Sequence, residues 1–461
     1  MFNKEIYIAR RKALQQTMSH GLLLFLGNGN VGFNYADNEY KFRQDSTFLY
    51  LFGLDMPGLA AVIDCDNNRT VIFGDELTLD DIVWTGPMPT LAERAADVGV
   101  TETLPSALLF KHIENAKADK QKVHFVPPYR GDRQLLFDEL LGKNAQPSLD
   151  LINALVDMRN HKGPEEIAEI EKAIGISVDM HLKALELAQP GRTEKEIMAA
   201  VMEVCLREGY YYSFPAICTT HGETLHNHGY IHTLREGDML LLDAGAETDM
   251  HYAGDLTTTM PVGSDFTSRQ REIYEVLMNT YHTAHNMLKP GITYRECHVK
   301  AWTTIAEGLQ QLGLMKGNPT EAAEAGAVAL FMPHGLGHMM GLDVHDMENY
   351  GEVHVGYPRG AQKDPRFGFK SLRLARKLEP GFVFTVEPGI YFIPELIDQW
   401  RAAGKFTDFI CYERLDAWKD FGGMRNEENW LITPDGHRHL GKAKPVDADQ
   451  LLAAKAGKFE C

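Results

Sequence analysis

The sixteen-residue run FMPHGLGHMMGLDVHD, Phe331 to Asp346, places three histidines and two aspartates among Gly, Met and Leu. Histidine exchanges protons and binds metals near neutral pH, and intervening glycines let backbone approach a ligand, so the run predicts a chemical site. His334 and His338 have the spacing of a helical zinc motif, but that motif needs a glutamate after the first histidine, and the position is Gly335. Glycines 335 and 337 also disfavour a helix there. Any metal bound by this run must take its remaining ligands from elsewhere in the chain.

A faint repeat shows where those ligands come from. Pro190-Gly191 is followed by Thr193 and Glu196, and Pro290-Gly291 by Thr293 and Glu296, both the pattern of a reciprocally capped helix start. Further on, Gly237 opens DMLLLD ending at Asp243, and Gly381 opens FVFTVE ending at Glu387, two strand-like runs each closing on an acid. A duplicated α+β half-domain follows, with a pseudo-twofold axis that brings Asp243 and Glu387 face to face. Each half offers a second acid beside a further strand-like run: Asp255 before LTTTM and Glu427 in RNEENWLIT. Four carboxylates packed together would repel and partly protonate unless cations lay among them, so Asp243, Asp255, Glu387, Glu427 and His338 read as ligands of two divalent metals. Oxygen donors with one imidazole suit Mn²⁺ better than thiolate-seeking zinc, with Co²⁺ or Zn²⁺ as alternatives. Such a pair can bridge a water and present hydroxide to a carbonyl, with Glu387 as proton shuttle. His334 and His345 are then free to hydrogen-bond the substrate or its tetrahedral intermediate, His226 is a further candidate for this, and Thr257 is placed to orient Asp255.

The bulk of the sequence narrows the class. Its 461 residues allow two or three domains, and a net charge of −18 argues against nucleic-acid or anionic-membrane partners. The charged N-terminus and the lack of any long apolar stretch predict a soluble, unexported, cytoplasmic protein. Cys65, Cys205, Cys218, Cys297, Cys411 and Cys461 lie far apart with no CxxC, which predicts reduced thiols. Short apolar runs separated by turn signals, as in AAVIDCDNNRTVIFG, predict an α/β domain in the first 150 or so residues. Pro164, the acids at 165 and 166, and apolar residues recurring from Ile167 to Leu185 predict a long helix ended by Pro190-Gly191. A domain boundary is expected just before that helix, giving domains 1–160 and 161–461.

The motifs DAG at 243, AGDLTTT at 253, MPHGLGH at 332, DVHD at 343, TVEPGIYF at 385 and GGMRNEE at 422 resemble, in family order, the pita-bread dinuclear metallopeptidases of the Xaa-Pro dipeptidase (prolidase) and Xaa-Pro aminopeptidase (aminopeptidase P) branch. The segment YKFRQDSTFLYLFG, Tyr40 to Gly53, resembles the N-terminal domain of the same enzymes. The resemblance implies an α+β architecture, a creatinase-like N-terminal domain followed by a pita-bread catalytic domain. It also implies two Mn²⁺ on Asp243, Asp255, His338, Glu387 and Glu427. His226, His334 and His345 fall on the family's substrate histidines and Arg425 on its supporting arginine, while His228 has no role assigned. A peptide with proline in second position is the implied substrate, and a homodimer or larger homo-oligomer the implied assembly, in which Trp84 is a candidate wall for a neighbour's site. The sequence departs from the family at RNEEN, where RIEDD is frequent, and between Asp243 and Asp255, one residue longer than in the bacterial aminopeptidases. The basic excursion ending in SLRLARKLEPG resembles the prolidase branch, and Arg373 falls where that branch reads the free carboxylate of a dipeptide. A prolidase is therefore the first expectation and an aminopeptidase acting on longer peptides the second. A non-catalytic pita-bread protein would be expected to lack the ligands, and a creatinase-type amidinohydrolase would not need them.

Overall fold

In a computed structural model describing residues 1–459, the chain forms two compact units, one running from Met1 to Arg159 and the other from Asn160 onward. The first is built on a five-stranded mixed sheet in the order Thr103–Leu104, Arg69–Phe73, Ala60–Asp64, Leu22–Leu26, Val123–His124. The central strand, AAVID, and its neighbour LLLFL are buried along their whole length, as apolar runs covered on both faces should be. The hairpin of 60–64 and 69–73 turns at the Asp-Asn-Asn signal, where Asn68 takes a left-handed φ of 51° and the Asp64 carboxylate accepts from the Asp66 and Asn67 N–H groups. Trp84 stands on the helix Leu79–Thr85, which has no buried residue, and is 80% exposed.

The second unit carries the expected repeat. Pro164 opens a helix to Leu187 whose Ile170, Ile174, Val178 and Leu185 are buried. Helices Glu194–Glu208 and Tyr294–Gln311 both begin with the anticipated reciprocal cap: Thr193 and Glu196, then Thr293 and Glu296, each exchange backbone and side-chain hydrogen bonds. The first packs on 164–187 and the second on Ser268–Asn286, giving one helix pair per half. Each half also has a three-stranded antiparallel sheet, Leu256–Pro261, Met239–Ala244 and Ile217–Thr219 in one, Val383–Val386, Glu428–Ile432 and His437–His439 in the other. The duplication is imperfect, since the DMLLLD strand is central in its sheet whereas the FVFTVE strand lies at an edge. A bridge between Thr257 and Glu427 joins the sheets.

Among the described residues no helix is long and apolar enough to cross a membrane. Cys65, Cys205, Cys218, Cys297 and Cys411 are free thiols, and Cys461 lies outside the described residues.

Candidate active site

Strand register brings the acids together. Asp243, near the end of its strand, pairs with Thr257, and the Glu427 N–H donates to the Thr257 carbonyl at 3.1 Å. This places Asp243, Asp255 and Glu427 at one seam, and the strand 383–386 delivers Glu387 at its end. The glycine-rich run lies against that strand without forming a helix, the His338 N–H donating to Thr385 Oγ1 at 3.2 Å. Gly337 permits the approach: a Cβ there would lie 2.0 Å from the Thr385 carbonyl.

A cavity of about 250 Å³ is lined by Asp243, Asp255, His338, Glu387 and Glu427 together with His226, His228, His334, His345, Arg373 and Arg425. His338 Nδ1–H donates to the Met339 carbonyl at 3.1 Å, which leaves Nε2 as an unprotonated acceptor. That lone pair faces Asp255, Glu387 and Glu427 oxygens at 3.3, 3.7 and 3.9 Å. Lone pair and carboxylates in this arrangement lack a positive partner. Asp255, His338 and Glu427 each offer an atom within 4.8 Å of the others, and Asp243 Oδ1 is buried without a hydrogen-bond partner. Burial, then the charges of Asp243 and Glu387, push the Asp255 carboxyl well above its usual range. Burial followed by Asp255 does the same to Glu427, and Glu387 is raised chiefly by burial. The donor set fits divalent cations.

Arg425 orders the other side. It donates to Asp243 Oδ2 at 2.6 Å, Thr257 Oγ1 at 3.1 Å and Tyr391 Oη at 2.8 Å. Thr257, expected to orient Asp255, instead donates to Glu427 Oε2 at 2.8 Å, because the bridge between the sheets sets it opposite that acid. The Asp255 backbone is gripped by the Asn429 side chain.

The histidines divide by their partners. His334 Nδ1–H donates to the Gly335 carbonyl at 2.8 Å and Nε2 accepts from the Tyr391 hydroxyl at 2.9 Å, so both nitrogens are engaged. His345 Nδ1 bonds Glu348 at 3.0 Å, whereas His226 makes no hydrogen bond among the described residues. Burial holds His334 down to about 3 and His345 to about 4, so both rings are neutral at neutral pH. His228 shares the cavity wall and bonds the Ala216 carbonyl. Tyr391, Asn429 and Glu348 were not singled out by sequence. Tyr391 lies in the TVEPGIYF motif, but aromatic residues in buried strands are ordinarily packing groups.

The departure at RNEEN has a structural partner in buried Lys444, which donates to Asn426 Oδ1 and the Thr257 carbonyl at 2.9 Å each and pairs with Glu428 at 3.3 Å. The longer segment after Asp243 folds back as a turn, with Gly245 so close to Gly254 that a Cβ would meet its carbonyl at 1.9 Å.

Clustered buried carboxylates around one imidazole, at the wall of a cavity, define a metal-dependent hydrolase. Residues 168–434 match metallopeptidase family M24, and residues 7–124 match the aminopeptidase P N-terminal domain. The chain belongs to metallopeptidase family M24 and is a metallopeptidase with the expected α+β architecture. It is 31% identical over 442 residues to a Xaa-Pro dipeptidase of Mus musculus, covering 92% of this chain and 86% of that protein. A probable Xaa-Pro aminopeptidase of Uncinocarpus reesii is also 31% identical, over 90% of this chain and 86% of its own length. Among solved structures, proline aminopeptidase P II from Yersinia pestis superposes with a TM-score of 0.82 at 27% identity, covering 99% of this chain and 100% of that one. Aminopeptidase P from Escherichia coli with the inhibitor Pro-Leu gives a TM-score of 0.81 at 27% identity over 99% of both chains.

Proposed function

We propose that the chain hydrolyses the bond preceding proline in Xaa-Pro peptides and that Xaa-Pro dipeptides are its main substrates. Relatives named for Xaa-Pro peptides, at about 30% identity over most of the chain, support the class. The observation that carries the dipeptide reading is the presence of Arg373 in the wall of the same cavity as the carboxylates. A dipeptide ends in a carboxylate one residue past the scissile bond, and a guanidinium grips such a group through paired N–H donors. After burial, Arg373 is among the charges that hold His334, His338 and His345 neutral, so its field reaches the centre. The small cavity suits a small substrate.

In this reading Asp243, Asp255, His338, Glu387 and Glu427 hold two divalent cations, Mn²⁺ first by the oxygen-rich donor set. Cations there supply Lewis acidity toward a water and the scissile carbonyl. Glu387, whose carboxyl is raised by burial, takes the proton of the attacking water and returns it to the proline nitrogen. Proline gives a leaving nitrogen that has no N–H of its own, so this delivered proton completes the departure. His226 donates to the substrate carbonyl, His345, whose Nδ1–H is committed to Glu348, offers Nε2 as an acceptor to the substrate, and His334 is fixed by Tyr391 and acts only if a substrate displaces that bond.

The second reading, an Xaa-Pro aminopeptidase acting on longer peptides, is supported by aminopeptidase P structures that match the whole chain. Activity on Ala-Pro and Ala-Pro-Ala with Mn²⁺, measured side by side and after chelation, separates the two. Ala-Pro should be preferred, chelation should abolish turnover, and Arg373→Ala should raise KM for Ala-Pro by roughly 10–100-fold and far less for the tripeptide. Equal effects on both peptides would favour the aminopeptidase, and activity indifferent to chelation would remove the metal mechanism.

A further inference from the structure

Glu348 was given no part in the chemistry above, yet it touches both residues assigned to opposite ends of the substrate. One of its oxygens, Oε2, accepts from His345 Nδ1 at 3.0 Å, and the other, Oε1, lies 2.5 Å from Arg373 Nε. The second contact is an ion pair and not an aligned hydrogen bond, since neither atom finds a hydrogen-bond partner although both are buried. Arg373 makes no hydrogen bond among the described residues, so the pair restrains the guanidinium without using its terminal N–H groups. A neighbouring acid, Glu352, lies 3.8 Å from Arg373 Nε but is itself paired with Lys363, which leaves Glu348 as the carboxylate matched to the arginine.

The backbone fixes both partners of this carboxylate. Met347, buried and in the left-handed region at φ 60°, starts the short turn Glu348–Tyr350 that carries Glu348 back beneath His345. The Arg373 segment is pressed onto the helix that follows, Glu352–Gly356: a Cβ on Gly356 would lie 1.8 Å from the Arg373 carbonyl, and the Gly356 carbonyl accepts from Ala375 and Arg376. Glu348, His345 and Arg373 thus belong to one folded excursion inserted between the histidine run and the strand of Glu387.

We infer that Glu348 is a positioning residue that fixes the His345 ring against His338, with Nε2 as an acceptor toward the substrate, and sets Arg373 for the substrate carboxylate, coupling turnover to dipeptide recognition. The inference rests on the reading of Arg373 as the carboxylate clamp. Through His345 its loss acts on both peptides, and through Arg373 on the dipeptide alone. A glutamine at 348 keeps an oxygen for the His345 N–H but has no charge for Arg373, so the two effects separate.

Steady-state kinetics on Ala-Pro and Ala-Pro-Ala with Mn²⁺, for Glu348→Gln, Glu348→Ala, Arg373→Ala and the Glu348→Ala/Arg373→Ala double variant, test the inference. Glu348→Ala should lower kcat on both peptides and raise KM for Ala-Pro, each by about tenfold, the loss of one charge-assisted contact. Glu348→Gln should show the KM effect more strongly than the kcat effect. In the Arg373→Ala background the KM effect of Glu348→Ala should vanish while its kcat effect remains. Should Arg373→Ala raise KM for Ala-Pro while both Glu348 variants leave it unchanged, or should the two KM effects simply add, the coupling is overturned and the clamp survives. Should Arg373→Ala itself fail to discriminate the peptides, the clamp falls and the coupling with it.

Discussion

Asp243 and Glu387 occupy corresponding strand ends in the two halves, and their surroundings set them apart. Asp243 has one oxygen fixed by Arg425 at 2.6 Å, whereas the one hydrogen bond to the Glu387 carboxylate among the described residues is a long one of 3.4 Å from Thr385, and that carboxyl is pushed up by burial. A carboxylate left loosely bonded in a buried cluster can carry a proton, which favours Glu387 for the shuttle role proposed above. Glu387→Ala should accordingly lower kcat by roughly 10²–10⁴-fold on either peptide, the usual share of a general acid–base group. Near-normal kcat in that variant would remove Glu387 from the proton path. His334 lines the cavity as expected, and both its ring nitrogens are engaged, one by the Gly335 carbonyl and one by the Tyr391 hydroxyl.

The elements that matter most are the glycine-rich run and the strand it crosses. Gly337 lies where a side chain would meet the Thr385 carbonyl at 2.0 Å and the Tyr294 hydroxyl at 2.6 Å, and that hydroxyl donates to the same carbonyl at 2.5 Å. Both obstacles are backbone or buried, so neither can yield cheaply. Gly337→Ala should cost about 1–3 kcal/mol by overpacking. It should also displace His338 from Asp255 and Glu427. Calorimetric unfolding and Mn²⁺ titration would show a lowered Tm together with weakened metal binding, and an unchanged titration would mean that the run does not position the imidazole. The strand of Glu427 is secured differently, by Lys444 beneath Asn426 and Glu428, so those two residues of RNEEN serve a buried cation.

At the scale of the molecule, several histidines are folded away uncharged. Burial lowers His181 and His298 to about 3 and His285 to about 4, and neither His298 nitrogen finds a partner beside Trp302 and Phe369. Their folded pKa lies below the unfolded value near 6.5, so the unfolded chain binds more protons in acid and stability falls as pH drops from about 6.5 toward 4. Each such group contributes a slope of about 1.4 kcal/mol per pH unit there. Denaturant unfolding of His298→Phe between pH 4 and 7 should show a shallower decline than the parent chain, and parallel declines would mean that His298 is not the proton acceptor. The sequence by itself determined which side chains could bind metal, the paired helix caps at Thr193 and Thr293, and the strand-end acids, because types, caps and period are local properties that neighbours along the chain enforce. Only the tertiary structure decided that Thr257 serves Glu427, that Tyr391 holds His334 and that Glu348 joins His345 to Arg373. Those contacts depend on strand register and on the path of an irregular excursion, where segments distant in sequence meet with no periodic signal to announce it.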